Sequence, residues 1–139
     1  MKTLYETRKL TALSQKDFED CVLSHNEWVA SKGKKGKKLI FENYELRHLS
    51  FSFIRKQNLS LRRAEIVDSL MNYCDLSTID CTGANFRGTS MIGTNVSYCK
   101  FIGANFEDAN LSKAIETGAN FEDAYTGDTN DTNFYKPWH

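Results

Sequence analysis

A period of five constrains this chain more than any other feature. Stepping back by five from Phe121 to Phe41 meets 17 positions, of which only Lys56 and Glu116 are not apolar. The residue two places earlier is held as tightly, running Leu39, Tyr44, Leu49, Ile54, Leu59, Ala64, Ser69, Cys74, Ile79, Ala84, Thr89, Thr94, Cys99, Ala104, Ala109, Ala114 and Ala119, all apolar or small. The intervening positions are mostly Asn, Asp, Ser, Thr, Gly, Lys, Arg or Glu. A helix repeats every 3.6 residues and a strand every 2, and neither produces this pattern from 39 to 123. An inward-pointing pair followed by a tight turn does, with each five-residue unit forming one side of a coil.

The clearest units are Ala84-Asn85-Phe86-Arg87-Gly88, Ala104-Asn105-Phe106-Glu107-Asp108, Ala109-Asn110-Leu111-Ser112-Lys113 and Ala119-Asn120-Phe121-Glu122-Asp123. With these residues the chain resembles the pentapeptide-repeat family, whose unit is a small residue, Asn or Asp, Leu or Phe, and two variable residues. The resemblance implies an all-β repeat solenoid, a right-handed quadrilateral β-helix in which four units close one coil. About four coils then stack, and residues 20 apart lie at the strand spacing of about 4.8 Å. Four inward ladders are expected: Phe41, Leu61, Cys81, Phe101 and Phe121; Leu46, Ile66, Phe86 and Phe106; Phe51, Met71, Met91 and Leu111; and Lys56, Leu76, Val96 and Glu116.

Such a stack leaves an apolar end and unpaired backbone edges that must be covered. Three segments follow: 1–38, a helix and lysine-rich loop acting as a cap; 39–123, the repeats; and 124–139, an aromatic tail. In the first segment, Ser14 with Asp17 three residues on resembles a capping box, and Phe18, Cys21, Val22, His25, Trp28 and Val29 share one helical face. His25 and Trp28, with Gly36 after them, also resemble the leader that precedes the repeats in some family members. His25 is expected to be a partly buried structural residue, because no nucleophile or carboxylate partner is identifiable nearby in sequence. In the tail, Tyr125, Phe134, Tyr135 and Trp138 serve either as the second cap or in self-association.

The 139 residues suit one domain with end pieces, and 40% hydrophobic with 26% charged residues is ordinary globular usage. No apolar run is long enough to span a bilayer and no signal peptide is evident, so the expected compartment is the cytoplasm. Cys21, Cys74, Cys81 and Cys99 have no metal-ligand spacing and read as small apolar residues; neither metal nor cofactor is expected. A formal net charge of zero hides a basic stretch over 32–65 and an acidic one over 104–139.

No nucleophile, phosphate-loop or metalloprotease motif is present, so the chain is expected to be non-enzymatic and to act through its surface. The sharpest candidate is an apolar outer face of Phe53, Leu70, Tyr73 and Ile92, either a partner or dimer interface or a patch covered by the helix or tail. Lys34, Lys35, Lys37 and Lys38, on a mobile loop, together with Arg62 and Arg63, are candidate phosphate contacts for sequence-independent nucleic-acid binding; their alternative role is solvation. Glu107, Asp108, Glu122 and Asp123 form a candidate acidic surface. Some members of the family mimic a DNA duplex and inhibit type II topoisomerases, and others occur among phage and pathogen-delivered proteins. The resemblance therefore implies a protein partner, such as a bacterial enzyme or defence complex. The neutral total and basic first half leave room only for partial mimicry by the acidic end.

Overall fold

In the computed structural model, residues 9–127 are described. A short strand β1 (Thr11–Ala12) leads into helix α1 (Gln15–Ala30). Ser14 begins the helix as the sequence suggests: its extended backbone (φ −71°, ψ 158°) lets its hydroxyl accept the Asp17 N–H at 3.0 Å. Phe18, Val22 and His25, spaced by four and three residues, form the buried stripe. Phe18 lies edge-on to Phe51 and Phe53, with centroids 4.9 and 5.7 Å away.

The lysine-rich loop after α1 departs from the mobile segment expected. Gly33 N–H donates to the Trp28 carbonyl (2.8 Å), Lys35 N–H to Ser31 Oγ (2.7 Å) and Lys37 N–H to the Ser24 carbonyl (3.2 Å). Gly36 permits this folding back. Its φ is +70°, and a Cβ there would sit 2.2 Å from the Ser24 oxygen.

β2 (Ile40–Glu42) and β3 (Tyr44–Glu45) begin the repeats, and β4 (Glu65–Val67) starts the next layer. All pairing is parallel: β1 on β3, β2 on β4, then single bridges between residues 20 apart, from Glu65↔Asn85 to Asn105↔Tyr125. Regular strands are few because each side contributes one bridging residue per layer before the chain turns. The turn has one recurrent form. In the unit around Phe86, the Thr89 N–H donates back to the Phe86 carbonyl (3.1 Å) and Gly88 has φ +69°, the signature of a type II turn. The left-handed residue recurs every five positions from Arg63 to Asp123, at Tyr73, Gly93 and Tyr98 among others.

The Asn or Asp before each inward residue also acquires a physical reason. Asn85, Asn105 and Asn120 each accept, through Oδ1, the backbone N–H two residues on, at 2.9–3.0 Å. These Asx turns lead the chain into each corner. Inside, Phe101 stacks on Phe121 (5.1 Å) and Phe86 on Phe106 (5.5 Å), as the ladders require. Small polar residues at the second inward position are satisfied rather than orphaned. Thr89 Oγ1 donates to the Ile66 carbonyl (2.7 Å) and Thr94 Oγ1 to that of Met71 (3.0 Å).

The first layer is where the expected ladders fail. β2 and β4 pair 25 residues apart, Phe41 with Ile66, and Glu45 bridges Leu70. One extra unit is therefore inserted, and it folds as a helical turn, α2 (Ser52–Lys56). Phe41 thus sits over Ile66 instead of Leu61, and the Glu45–Leu70 bridge carries Leu46 over Met71 instead of Ile66. The insertion also explains Lys56. α2 buries Phe53 and Ile54 and leaves Lys56 exposed, so no lysine enters the core.

Candidate interaction surfaces

The apolar face expected from Phe53, Leu70, Tyr73 and Ile92 does not exist as one patch. Phe53 is 8% exposed because α2 turns it inward against Phe18, and Leu70 is 7% exposed beneath the first layer. Ile92 is half-buried. Tyr73 is 74% exposed and stands at a corner with φ +63°.

Tyr73 is nevertheless held in place. Its N–H donates to the Ile92 carbonyl (2.9 Å), and its ring lies over Gly93 so closely that a Cβ on that glycine would come within 2.3 Å of it. The same device occurs at Tyr98, which sequence reasoning passed over. Tyr98 is 62% exposed with φ +58°, its N–H donates to the Thr117 carbonyl (2.8 Å), and its ring covers Gly118 at 2.4 Å by the same measure. A readable signal was present: an aromatic at the turn position with a glycine 20 residues later.

The basic residues are divided by the fold. Lys38 pairs with Glu65 (2.5 Å) and lies over the Trp28 ring at 5.6 Å, while the Arg63 guanidinium is 4.9 Å from that ring's centroid. Arg62 approaches Asp80 at 3.8 Å. Lys34, Lys35 and Lys37 are exposed and make no ion pair with the described residues. Under the Trp28 cluster, His25 is fully buried, more than expected. Leu39 N–H donates to its Nδ1 (2.9 Å), so Nε2 carries the proton and donates to the Arg62 carbonyl (2.8 Å). Burial pushes its pKa down, and Lys38 and Arg63 push the same way against the opposing Arg62 carbonyl.

At the other end, Asp108, Glu122 and Asp123 are exposed and Glu107 is half-buried. Asp123 shares a corner with Arg63 three layers away, so charge runs from basic to acidic along the stack. Glu107 follows Arg87 by one layer on its own side, which interrupts any continuous negative stripe. Tyr125 is exposed and pairs with Asn105, while Phe134, Tyr135 and Trp138 lie outside the described residues.

Cys74, Cys81 and Cys99 are buried and Cys21 half-buried, none in a disulfide. Burial pushes the Cys74 and Cys99 thiols up to about 12, with neighbouring carboxylates adding to it. Among the described residues no group of His, Cys, Asp and Glu is placed to hold a metal ion, and no helix is long and apolar enough to cross a membrane.

Comparison with known proteins gives one family match. Overlapping spans 64–101, 79–115 and 91–125 match the model for pentapeptide repeats, in eight copies. No curated protein sequence matches the chain. Among solved structures, the chain is similar to HetL from the cyanobacterium Nostoc sp. strain PCC 7120, a pentapeptide repeat protein involved in heterocyst differentiation regulation. The match has 21% identity and a TM-score of 0.47, covering 66% of this chain and 39% of that one. Rfr23, a pentapeptide repeat protein from the cyanobacterium Cyanothece 51142, matches at 23% identity and a TM-score of 0.49, over 70% of this chain and 66% of that one. Both solved proteins are matched over less than two thirds of their own length.

Proposed function

Over residues 64–125 the chain belongs to the pentapeptide-repeat family, and from that premise we propose that it is a non-enzymatic protein-binding module that docks through its tyrosine corners. The observation that carries this reading is the paired device at Tyr73 and Tyr98. A binding surface gains most from large side chains that give up little freedom on docking, and tyrosine supplies area with only two rotatable bonds. Here each ring is already held over a glycine of the next layer, yet most of it is open to solvent. An exposed aromatic with no such restraint would lose more entropy on binding.

On this reading the repeats form a closed, right-handed, four-sided β-helix of about four coils, with α1 as the lid over its first layer. The module works in the cytoplasm, where four unpaired cysteines are at home. It inhibits or modulates a bacterial enzyme or defence complex, with the acidic end, Asp108, Glu122 and Asp123, contributing only partial duplex mimicry. A second reading, sequence-independent nucleic-acid binding, is favoured by Lys34, Lys35 and Lys37, three exposed cations that make no ion pair with the described residues.

The test is a nuclease-treated affinity capture from bacterial lysate with the unaltered chain, Tyr73→Lys and Tyr98→Lys, washed at low and high salt. A protein retained at high salt by the unaltered chain and lost with either lysine variant supports the module. A protein retained equally by all three chains refutes the tyrosine corners. Recovery of nucleic acid alone before nuclease, released by salt, transfers the function to the lysine loop.

A further inference from the structure

The tyrosine corners leave one backbone feature unused. In the parallel pairing of β2 with β4, Glu65 N–H donates to the Leu39 carbonyl (3.0 Å) and Asn43 N–H to that of Val67 (3.1 Å). Backbone groups alternate along a strand, so Leu39, Phe41 and the Asn43 N–H serve β4, while the N–H and C=O of Ile40 and Glu42 point to the opposite edge; at Asn43 (φ +61°) the chain turns, and its carbonyl accepts the Thr11 N–H at 2.8 Å. The next stretch of that edge, β3, is covered by β1, whose pairing begins at Thr11↔Tyr44. Lys9 and Leu10 add no bridge that would extend the cover to β2. Ile40 is 59% exposed and Glu42 is also exposed. Among the described residues, two donors and two acceptors are therefore presented on an edge without a partner strand.

Beside it, between α1 and β2, lies a cleft of about 350 Å³. Leu39, Phe41 and Tyr44 line it from the repeats, Cys21 from the helix, and Lys37 and Lys38 at its wall. Asp20, also in the lining, is engaged by Lys16 at 2.8 Å, and Lys38 by Glu65. Lys37 makes no ion pair with a described residue, and Lys34 and Lys35 precede it on the same anchored loop. Lysines beside an open edge discourage indiscriminate strand pairing, and they favour an added strand of opposite charge.

We propose that the β2 edge is a second docking site, which takes an extended acidic segment of a partner protein as an added strand, its backbone on Ile40 and Glu42 and its carboxylates toward Lys37 and the lysine loop. An apolar side chain of that strand fills the adjoining cleft. This site stands independently of the tyrosine corners, and its failure leaves them untouched.

The test uses the full chain and a short synthetic peptide alternating valine and glutamate, alongside a valine–lysine counterpart and a version with its backbone amides methylated. Hydrogen exchange read residue by residue is expected to slow about tenfold at the Ile40 and Glu42 amides with the acidic peptide alone. Affinity is expected to weaken with salt and to fall roughly threefold or more in Lys37→Glu, an exposed site whose change leaves the core intact. Equal protection by the valine–lysine or methylated peptide overturns the proposal, as does binding without protection at these two amides. Protection already present in the free chain, or rising with protein concentration in the absence of peptide, overturns it too, because the edge is then covered by this chain or by a second copy.

Discussion

Three glycines share nearly the same left-handed backbone and differ only in what lies above them. Gly36, Gly93 and Gly103 have φ of +70°, +68° and +67°. Replacing any of them with alanine forces a Cβ into a conformation that costs about 1–2 kcal/mol, partly offset by about 0.4–1 kcal/mol of entropy removed from the unfolded chain. At Gly103 nothing lies within 4 Å of the new Cβ, so Gly103→Ala is expected to cost only this net amount, about 1 kcal/mol. At Gly93 the Cβ falls 2.3 Å from the Tyr73 ring. That ring is exposed and can swing outward, so the added cost stays below about 1 kcal/mol, but the restrained tyrosine is lost. At Gly36 the Cβ meets the Ser24 oxygen at 2.2 Å and the Trp28 nitrogen at 2.7 Å. Both belong to helix backbone, which cannot rotate away. Relief requires shifting the loop, which breaks the Lys37 to Ser24 bond and pulls Leu39 from His25. We expect about 4 kcal/mol or more, in the range reserved for severe core or backbone disruption. Urea unfolding with a common slope ranks the three by midpoint. Gly36→Ala within about 1 kcal/mol of Gly103→Ala, or Gly93→Ala as damaging as Gly36→Ala, refutes the packing argument. Gly93→Ala has a further use: it should match Gly103→Ala closely in stability yet weaken partner capture, which Gly103→Ala should leave alone.

Other consequences are direct. A thiol reagent at pH 8 should label Cys21 in the native chain and reach Cys74, Cys81 and Cys99 only on unfolding, since burial holds those three protonated and covered; rapid labelling of four thiols refutes this. His25 is kept neutral when folded, with its pKa below the ordinary 6.5. The unfolded chain then binds the extra proton first, so stability is full above about pH 6.5 and declines as pH falls through the folded value. His25→Gln should flatten that decline, and an unchanged pH profile counts against the buried-imidazole account. Thr89→Val removes the hydroxyl that donates to Ile66 and accepts the Ser69 N–H at 3.2 Å. It should cost about 1–3 kcal/mol by leaving two buried backbone groups unpaired, read from the unfolding midpoint, and a neutral effect refutes the need for that bridge.

The repeat architecture was legible because its cause is local. A phenylalanine or leucine every five residues, a small residue two places earlier, and an asparagine that bonds the amide two places on are properties of single units, repeated until chance is excluded. The stacking of Phe101 on Phe121 and of Phe86 on Phe106 followed from counting. The start of α1 was equally local, resting on Ser14 and Asp17.

What escaped the sequence depended on closure over distance. The unit holding Lys56 kept the five-residue rhythm through Phe51 and Ile54, so nothing local announced that it would fold as α2 and lengthen the first layer to 25 residues. That one insertion turned Phe53 from an outer candidate into core. The same limit applies to the surfaces: the five lysines of residues 32–38 look alike in sequence, yet Lys38 is held by Glu65 and Trp28 while Lys37 makes no ion pair with a described residue. The periodic pattern by itself determined which residues point inward and that units 20 residues apart lie against one another. Only the tertiary structure decided which layer sits over which, and hence that Tyr73 and Tyr98 rest on glycines and that the outer edge of β2 has no partner among the described residues, because those contacts join residues that meet only after the chain has folded.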